Sequence, residues 1–571
     1  MKRQRTLYIA LLILLPLAFA ERASAQDIEA MVAGSGNANG FTVLNNRSDT
    51  LLTTRGNGRT SIPGLLTIGS SDPEFELTIT GGIIARGTLD AGKALQTSGE
   101  GARMLWYPRK AAFRAGYVKS SHWDETNIGK YSFATGESVT AKGEASVALG
   151  KNTSAGGDQA LASGSGCVAS GNRASAHGHQ SQAGGTGSTA FGYYGKASGD
   201  YSFAAGMNSE SSGSHSCAIG GSATASASGA VALGENVEAA GSGAVSLGIS
   251  TYSTEWGSTA MGYQSRATGL NATAIGFSAQ ASGSNATAIG RSTKANGSYS
   301  IAMGDSTLAS KAGSTAIGSF SESTAPFAIA IGKEVSASGT YAMAFGRQSV
   351  ASGESGIALG MQTTASGKRS IALGSYVSSN GNEGVLTLGD NSTTTVHSSG
   401  WSNCLDARFA NGYFLYTNSG CSIGARLTAN ASSWSSISDS TRKIRFTSAD
   451  DEAVLRRFST LRLGSWNYRD DPDPAHRHYG PMAQEWYAAF GHDDIGTIGN
   501  DTMLSSADVD GVLCIAVKAL ARRTRENADR LRALYSRIED LEALLTAREE
   551  ELHAAKAEVR ALRTAESRAQ K

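Results

Sequence analysis

One glycine spacing constrains this chain more than any other feature. Between Gly136 and Gly374 a glycine returns every 14 residues, eighteen times, with no slip of register. A short period held over that length specifies a solenoid, in which each copy forms one coil stacked on the last. Alanine stands two residues before each ladder glycine, as at Ala134, Ala148, Ala358 and Ala372, with Ser246 the one exception. The positions three and one before the glycine are mostly larger, as in Val231 and Leu233, Ile301 and Met303, Ile329 and Ile331, or Ile371 and Leu373. Neighbouring residues of a strand point to opposite faces, so one face carries bulky apolar groups and the other a file of alanines.

A second glycine follows most ladder glycines by seven residues, as at Gly143, Gly171, Gly199, Gly283 and Gly353, often with an alanine two before it (Ala141, Ala169, Ala197). Each coil is therefore expected to be two short strands joined by glycine turns at positive φ. The bulky face is expected to fill the coil interior, and the alanine file to lie against another copy of the same sheet, because a parallel sheet buried on both faces needs a second layer. Self-association about a long axis follows.

Copies such as Ser314-Thr315-Ala316-Ile317-Gly318 and Tyr299-Ser300-Ile301-Ala302-Met303-Gly304 resemble the head repeats of YadA-like trimeric autotransporter adhesins. The resemblance spans residues 131–390. It implies a mainly β fold, a left-handed parallel β-roll solenoid with three chains side by side as a homotrimer.

The flanking segments have other characters. Residues 1–25 read as a secretory signal peptide: Lys2, Arg3 and Arg5 form a basic start, residues 7–20 an apolar core, and Ala23-Ser24-Ala25 a small-residue cleavage site. No later stretch has the roughly 18 apolar residues of a membrane span, so no transmembrane segment is expected in the mature chain. Residues 26–115 are β-patterned and turn-rich without a period, an N-terminal fibre segment with strands expected near 41–44, 51–54, 65–68 and 77–84. Head repeats are expected over 116–390, with Phe113-Arg114-Ala115-Gly116 and Trp123 leading into the first coil, and a β-rich connector over 391–437.

The charge balance, 50 Lys+Arg against 49 Asp+Glu, speaks against a nucleic-acid partner. Of the five cysteines, Cys167 and Cys217 fall within the roll, Cys404 and Cys421 are close enough in sequence to pair in an exported protein, and Cys514 stands alone. Their spacing is not that of a metal site.

After Ser438 glycine becomes sparse, charge rises and helical spacing begins. The module opens with Ser438-Asp439-Ser440-Thr441-Arg442-Lys443, which by itself reads as a helix cap. Leu461, Leu463, Trp466 and Tyr468 then alternate as a strand, followed by His478-Tyr479-Gly480-Pro481-Met482-Ala483-Gln484-Glu485-Trp486 and Asp508-Val509-Asp510-Gly511-Val512 before a helix at 516–521. In that order the elements resemble the intramolecular chaperone domain that ends endosialidase tailspikes and other trimeric fibres, an autocatalytic Ser-Lys peptidase that assists trimer folding and then cuts itself off. The resemblance covers residues 438–530, a small α+β domain. It implies Ser438 as nucleophile, Lys443 as general base, and cleavage at the bond adjoining Ser438. A serine hydroxyl must hand its proton to a base to attack, and a lysine serves as that base where burial or a neighbouring cation favours its neutral form. Arg442 and Arg445 are near in sequence to supply part of that effect. The family often has Arg-Asn after Ser-Asp where this chain has Ser440-Thr441, which bears on the efficiency of the cut.

Asp470, Asp471, Asp473, His476 and His478 form an acid and histidine cluster that offers a metal-site reading, but the proline-containing run fits a solvated loop better, with His478 structural beside Gly480-Pro481; no metal and no cofactor are expected. From Val517 the spacing is heptad, with Val517, Thr524, Leu531, Ile538, Leu545, Leu552 and Val559 in one core position and Leu520, Asn527, Leu534, Leu541, Arg548, Ala555 and Leu562 in the other. A coiled coil over 517–565 is expected to hold three chains in register.

The function expected is that of a secreted, adhesin-like trimeric fibre at the bacterial cell surface, which recognises an external host or surface ligand and acts as a peptidase only on its own chain. Two alternatives stand beside it. One is the same fibre with an inactive peptidase. The other is a glycan-degrading tailspike enzyme, which needs paired carboxylates on a groove where the ladder offers mostly Ser, Thr, Ala and Gly.

Overall fold

The computed structural model describes residues 82–95 and 99–570, together with the backbone of four N-terminal strands. The proposed signal peptide, the expected strand at 65–68 and residues 77–81 of the one expected at 77–84 lie outside the described residues, and residues 82–84 form no strand. Residues 1–88 and 89–571 form separate units. In the first, strands Glu29–Val32, Gly40–Leu44, Thr50–Arg55 and Thr60–Ser61 pair antiparallel in sequence order.

The second unit is dominated by a parallel solenoid. Most coils contribute a five-residue strand such as Thr273–Phe277 and a two-residue strand such as Gln280–Ala281, and in the last ladder coils the two merge, as in Ile357–Ala365. Each pairs with its equivalent one coil later: Ala274 with Ala288, Ile275 with Ile289, and Gly276 with Gly290.

The interior differs from the sequence expectation. The alanines two before the ladder glycines, among them Ala148, Ala274, Ala288 and Ala316, are fully buried inside a single chain, and so are those of the short strands, such as Ala155, Ala281 and Ala295. The two alanine files face each other across the coil. The bulky positions point outward, and several are more than a third exposed, including Phe191, Ile219, Ile301, Leu359 and Leu373. The reason is width: a 14-residue coil has room between its two strands for methyl groups and little more, so volume selects alanine within and leaves the bulk outside. Where serine replaces alanine inside, its hydroxyl finds a partner. Ser246 Oγ lies 2.8 Å from Thr251 Oγ1, Ser211 Oγ 2.6 Å from Ser216 Oγ, and Ser253 Oγ donates to Val245 O at 2.6 Å.

The two glycine positions do different work. Ladder glycines take φ between +106° and +143°, and a Cβ on Gly276 would run into the carbonyl of Gly290. The second glycine does not need a positive φ; its role is close stacking. Ser282 and Gly283 both donate their amides to Ala295 O, at 3.0 and 3.3 Å. At two of the coils where this glycine is replaced, by Glu255 and Lys311, the amide turns to a serine hydroxyl instead, Ser258 Oγ at 3.2 Å and Ser314 Oγ at 3.1 Å. The left-handed corners fall two residues after each glycine position and are often not glycine, as at Asn152 (φ +53°), Gln180 (+54°) and Tyr341 (+59°). Each is held by a backbone bond to the preceding coil, such as Asn152 N to Glu137 O at 2.8 Å.

The first coil is closed by a hairpin. Strand Gly101–Tyr107 pairs antiparallel with Ala112–Val118, which pairs parallel with Phe133–Glu137. Arg114 occupies the alanine position opposite Ala134 and is fully buried. Its guanidinium donates to Phe113 O, Ser132 O, Ser132 Oγ and Ala141 O at 2.8 to 3.0 Å, and burial pushes its pKa down to about 10. Trp123, also buried, donates Nε1–H to Val139 O at 3.0 Å.

At the other end the sequence period stops but the stacking does not. Strand Leu386–Gly389 pairs with Ile371–Ser378, and Leu405–Arg408 pairs in turn with Leu386–Gly389, both parallel. A three-stranded antiparallel sheet follows, Gly412–Tyr416, Gly424–Thr428 and Ser435–Ser436. All five cysteines are free thiols, with Cys167 buried and Cys421 exposed, so Cys404 and Cys421 do not pair.

Three helices complete the chain: α1 (Asp451–Ser459), α2 (Ala483–Phe490) and α3 (Ser506–Ala569). The alternating run expected from Leu461 to Tyr468 shortens to Gly464–Trp466, paired antiparallel with His478–Gly480. Asp508–Asp510, expected before the last helix, lie inside α3. No helix among the described residues is long and apolar enough to cross a membrane.

Candidate functional site

Ser438 follows directly from the third strand of the antiparallel sheet. Across that strand Arg426 faces Ser435 and Ala425 faces Ser436, and Ile437 N donates to Gly424 O at 3.2 Å. The chain then makes a short 3-10 turn, Ser440–Arg442. Asp439 caps it, its Oδ1 accepting from Thr441 N at 2.9 Å and from Thr441 Oγ1 at 2.8 Å, while Lys443 N closes onto Ser440 O at 3.2 Å. The hydrogen bonds from Thr441, with Arg442 nearby, hold the Asp439 carboxyl below the usual carboxylate range.

This turn folds Lys443 back over its own start. Lys443 Nζ donates to Ser438 Oγ at 2.6 Å, with both residues exposed in a single chain. Of the two residues that the sequence offers as a cap, Ser438 or Asp439, it is Asp439 that caps, at this short 3-10 turn, and Ser438 is left to the lysine. Of the two arginines near in sequence, Arg442 turns to Asp439, its Nε 3.6 Å from Oδ2, while Arg445 is exposed.

Ser438 opens on a cleft of about 290 Å³ whose walls include Arg426, Thr428, Ser436, Ile437, Asp439 and Arg442. Arg426 is the contributor that sequence reasoning missed. It reaches the cleft through strand pairing, and nothing in its local sequence distinguishes it. Its guanidinium lies over the Phe414 and Tyr416 rings at 5.4 and 5.7 Å and donates to Tyr416 Oη at 3.2 Å, while its buried Nε has no partner.

Beyond the turn, the module is organised by charge at a helix end. Asp450 caps α1 by accepting from Glu452 N and Ala453 N at 3.0 Å. Arg522 of α3 bonds Asp451 at 2.8 Å and Glu452 at 2.7 Å, and Arg523 bonds Glu452 at 2.6 Å. Trp486 and Phe490 of α2 are buried with ring centroids 4.8 Å apart. His478 stacks on Trp466 at 4.8 Å, beside Gly480-Pro481.

Comparison with known families bears on both parts of the chain. The family model "YadA head domain repeat (2 copies)" matches residues 141–166, 169–194, 211–236, 257–279, 281–307, 309–334, 337–363 and 357–376. The model "Chaperone of endosialidase" matches residues 438–493, its first matched residue being Ser438. No curated protein matches the chain. These matches place YadA head repeats in the coiled portion of the chain and an endosialidase-type chaperone domain after it, beginning at Ser438.

Proposed function

We propose that the chain is a secreted, trimeric, adhesin-like surface fibre whose C-terminal chaperone domain assists assembly and then releases itself by cutting beside Ser438. The observation that carries this reading is the 2.6 Å contact from Lys443 Nζ to Ser438 Oγ at the junction between the β portion and the helical module. In the reaction, Ser438 Oγ attacks the adjoining peptide carbonyl and its proton passes to Lys443. The C–N bond breaks, the amine leaves with a proton, and water hydrolyses the resulting ester. Lysine takes a proton only when uncharged, and both residues are exposed in one chain. Trimer assembly that covers the turn would favour the neutral amine and delay the cut until folding is complete.

Trimerisation uses the outward bulky face. Residues such as Leu359 (44% exposed) and Leu373 (39%) form an apolar stripe along the coils. Covering each contributes about 1 kcal/mol, roughly half of full burial, and most coils carry an apolar residue there, Thr135, Ser163 and His177 being exceptions. The heptad positions of α3, including Leu531, Ile538 and Leu545, are similarly uncovered, and they form the coiled coil that sets the register of the three chains.

The test is expression of Ser438→Ala. It is expected to yield full-length trimer, whereas the parent chain is expected to yield a fibre ending beside residue 438, with no added protease. Processing of purified Ser438→Ala trimer at the same place would overturn the autocatalytic assignment.

A further inference from the structure

The loop that joins strands Gly464–Trp466 and His478–Gly480 brings Asp471, His476 and His478 together, with donor atoms within 4.8 Å of one another. His476 Nδ1 lies 3.2 Å from Asp471 Oδ2. That is close to the edge, about 3.3 Å, of a tetrahedron of ligands bound at about 2.0–2.1 Å to one ion.

The donors are held from behind. Asp471 Oδ1 accepts from Asp473 N at 3.0 Å, which leaves Oδ2 toward the histidines, and the Asp471 side chain is only 15% exposed. Asn467 Nδ2 donates to both Pro474 O and His476 O, at 3.0 and 2.8 Å, and fixes the backbone that carries His476. Asn467 Oδ1 in turn accepts from Arg477 Nη1 at 2.9 Å. The His478 ring is set by stacking on Trp466, and the two imidazole centroids are 5.2 Å apart.

We propose that Asp471, His476 and His478 bind one zinc-like divalent ion, which staples the loop across the base of this hairpin. Two imidazoles and one carboxylate suit a first-row transition ion. Calcium and magnesium instead take six or more ligands, chiefly oxygens. The fourth position is left to water or an incoming group. The cluster is visible in the sequence, but its proline-containing run reads more simply as a solvated loop, and the order of the donors does not reveal the fold-back made by Asn467.

The test uses the full-length chain carrying Ser438→Ala, so that the domain stays attached however the junction behaves, and titrates it with Co²⁺ alone. One equivalent per chain is expected to give the visible d–d bands of tetrahedral cobalt, displaced by Zn²⁺. His476→Ala, at an exposed position, and Asp471→Asn are each expected to weaken binding by more than about tenfold. Zn²⁺ is expected to raise the melting temperature of the parent and not that of His476→Ala. Absence of stoichiometric Co²⁺ binding, or binding that survives both substitutions unchanged, overturns the proposal.

Discussion

Lys443 Nζ and Ser438 Oγ stand 2.6 Å apart because the intervening turn is pinned by a third residue, Asp439, whose carboxylate accepts two bonds from Thr441. Thr441, at the place where the related family often has another residue, is thus what fastens the turn in this chain.

The Asp439 carboxyl is held below its usual range by those bonds from Thr441, with Arg442 adding to them. A depressed carboxyl contributes stability that is present above the unfolded value and lost as pH falls through the folded one. Acid below the usual carboxylate range is therefore expected to loosen the turn and slow the proposed self-cleavage. Asp439→Ala is expected to slow it about fivefold at neutral pH, from loss of the cap. The rate of appearance of the released fragment on gels checks both; an unchanged rate in Asp439→Ala would show that the turn does not position Lys443.

The alanine files and the bulky stripe give opposite responses to substitution. Ala288→Leu overpacks an interior with no spare volume and is expected to destabilise the coil itself by about 1–3 kcal/mol or more. Leu359→Asp with Leu373→Asp, on the outward face, is expected to leave the parallel sheet intact by circular dichroism yet block association of chains in sedimentation. Retention of trimer by the double variant would exclude this face as the interface.

Glycines at the two kinds of position are not equivalent. Gly276→Ala meets the carbonyl of Gly290 at φ +132°, and an expected loss of about 3 kcal/mol or more follows from overpacking and strain. Gly243, at a corner with φ +66° and open space around its Cβ, is expected to accept alanine for about 1 kcal/mol. Chemical denaturation of the two variants distinguishes these costs.

Truncation after Glu526 keeps Arg522 and Arg523 on Asp451 and Glu452 and removes most of the uncovered stripe of α3. The shortened chain is expected to form folded coils but much less trimer during expression, while trimer already assembled and cleaved is unaffected. Equal trimer yield from the truncated chain would remove the registering role from α3.

The period of Gly136 to Gly374 determined by itself that the chain is a stack of parallel coils, because one residue type at one spacing is a local rule repeated at every level. The order of motifs after Ser438 likewise marked the chaperone module, and the pairing of Ser438 with Lys443 spans only five residues, within reach of a single turn. Tertiary structure alone decided which face of the strand turns inward. Alternation separates alanine from leucine but carries no sign, and the sign is set by the width of a coil whose two alanine files meet. It also decided that stacking continues to Arg408 after the period ends, since backbone pairing tolerates the inserted residues that break a sequence register. The same holds for Arg114 closing the first coil, Arg426 entering the Ser438 cleft, and Asp471 meeting His476. Each contact depends on where another strand or loop lies, which the residues around it do not encode.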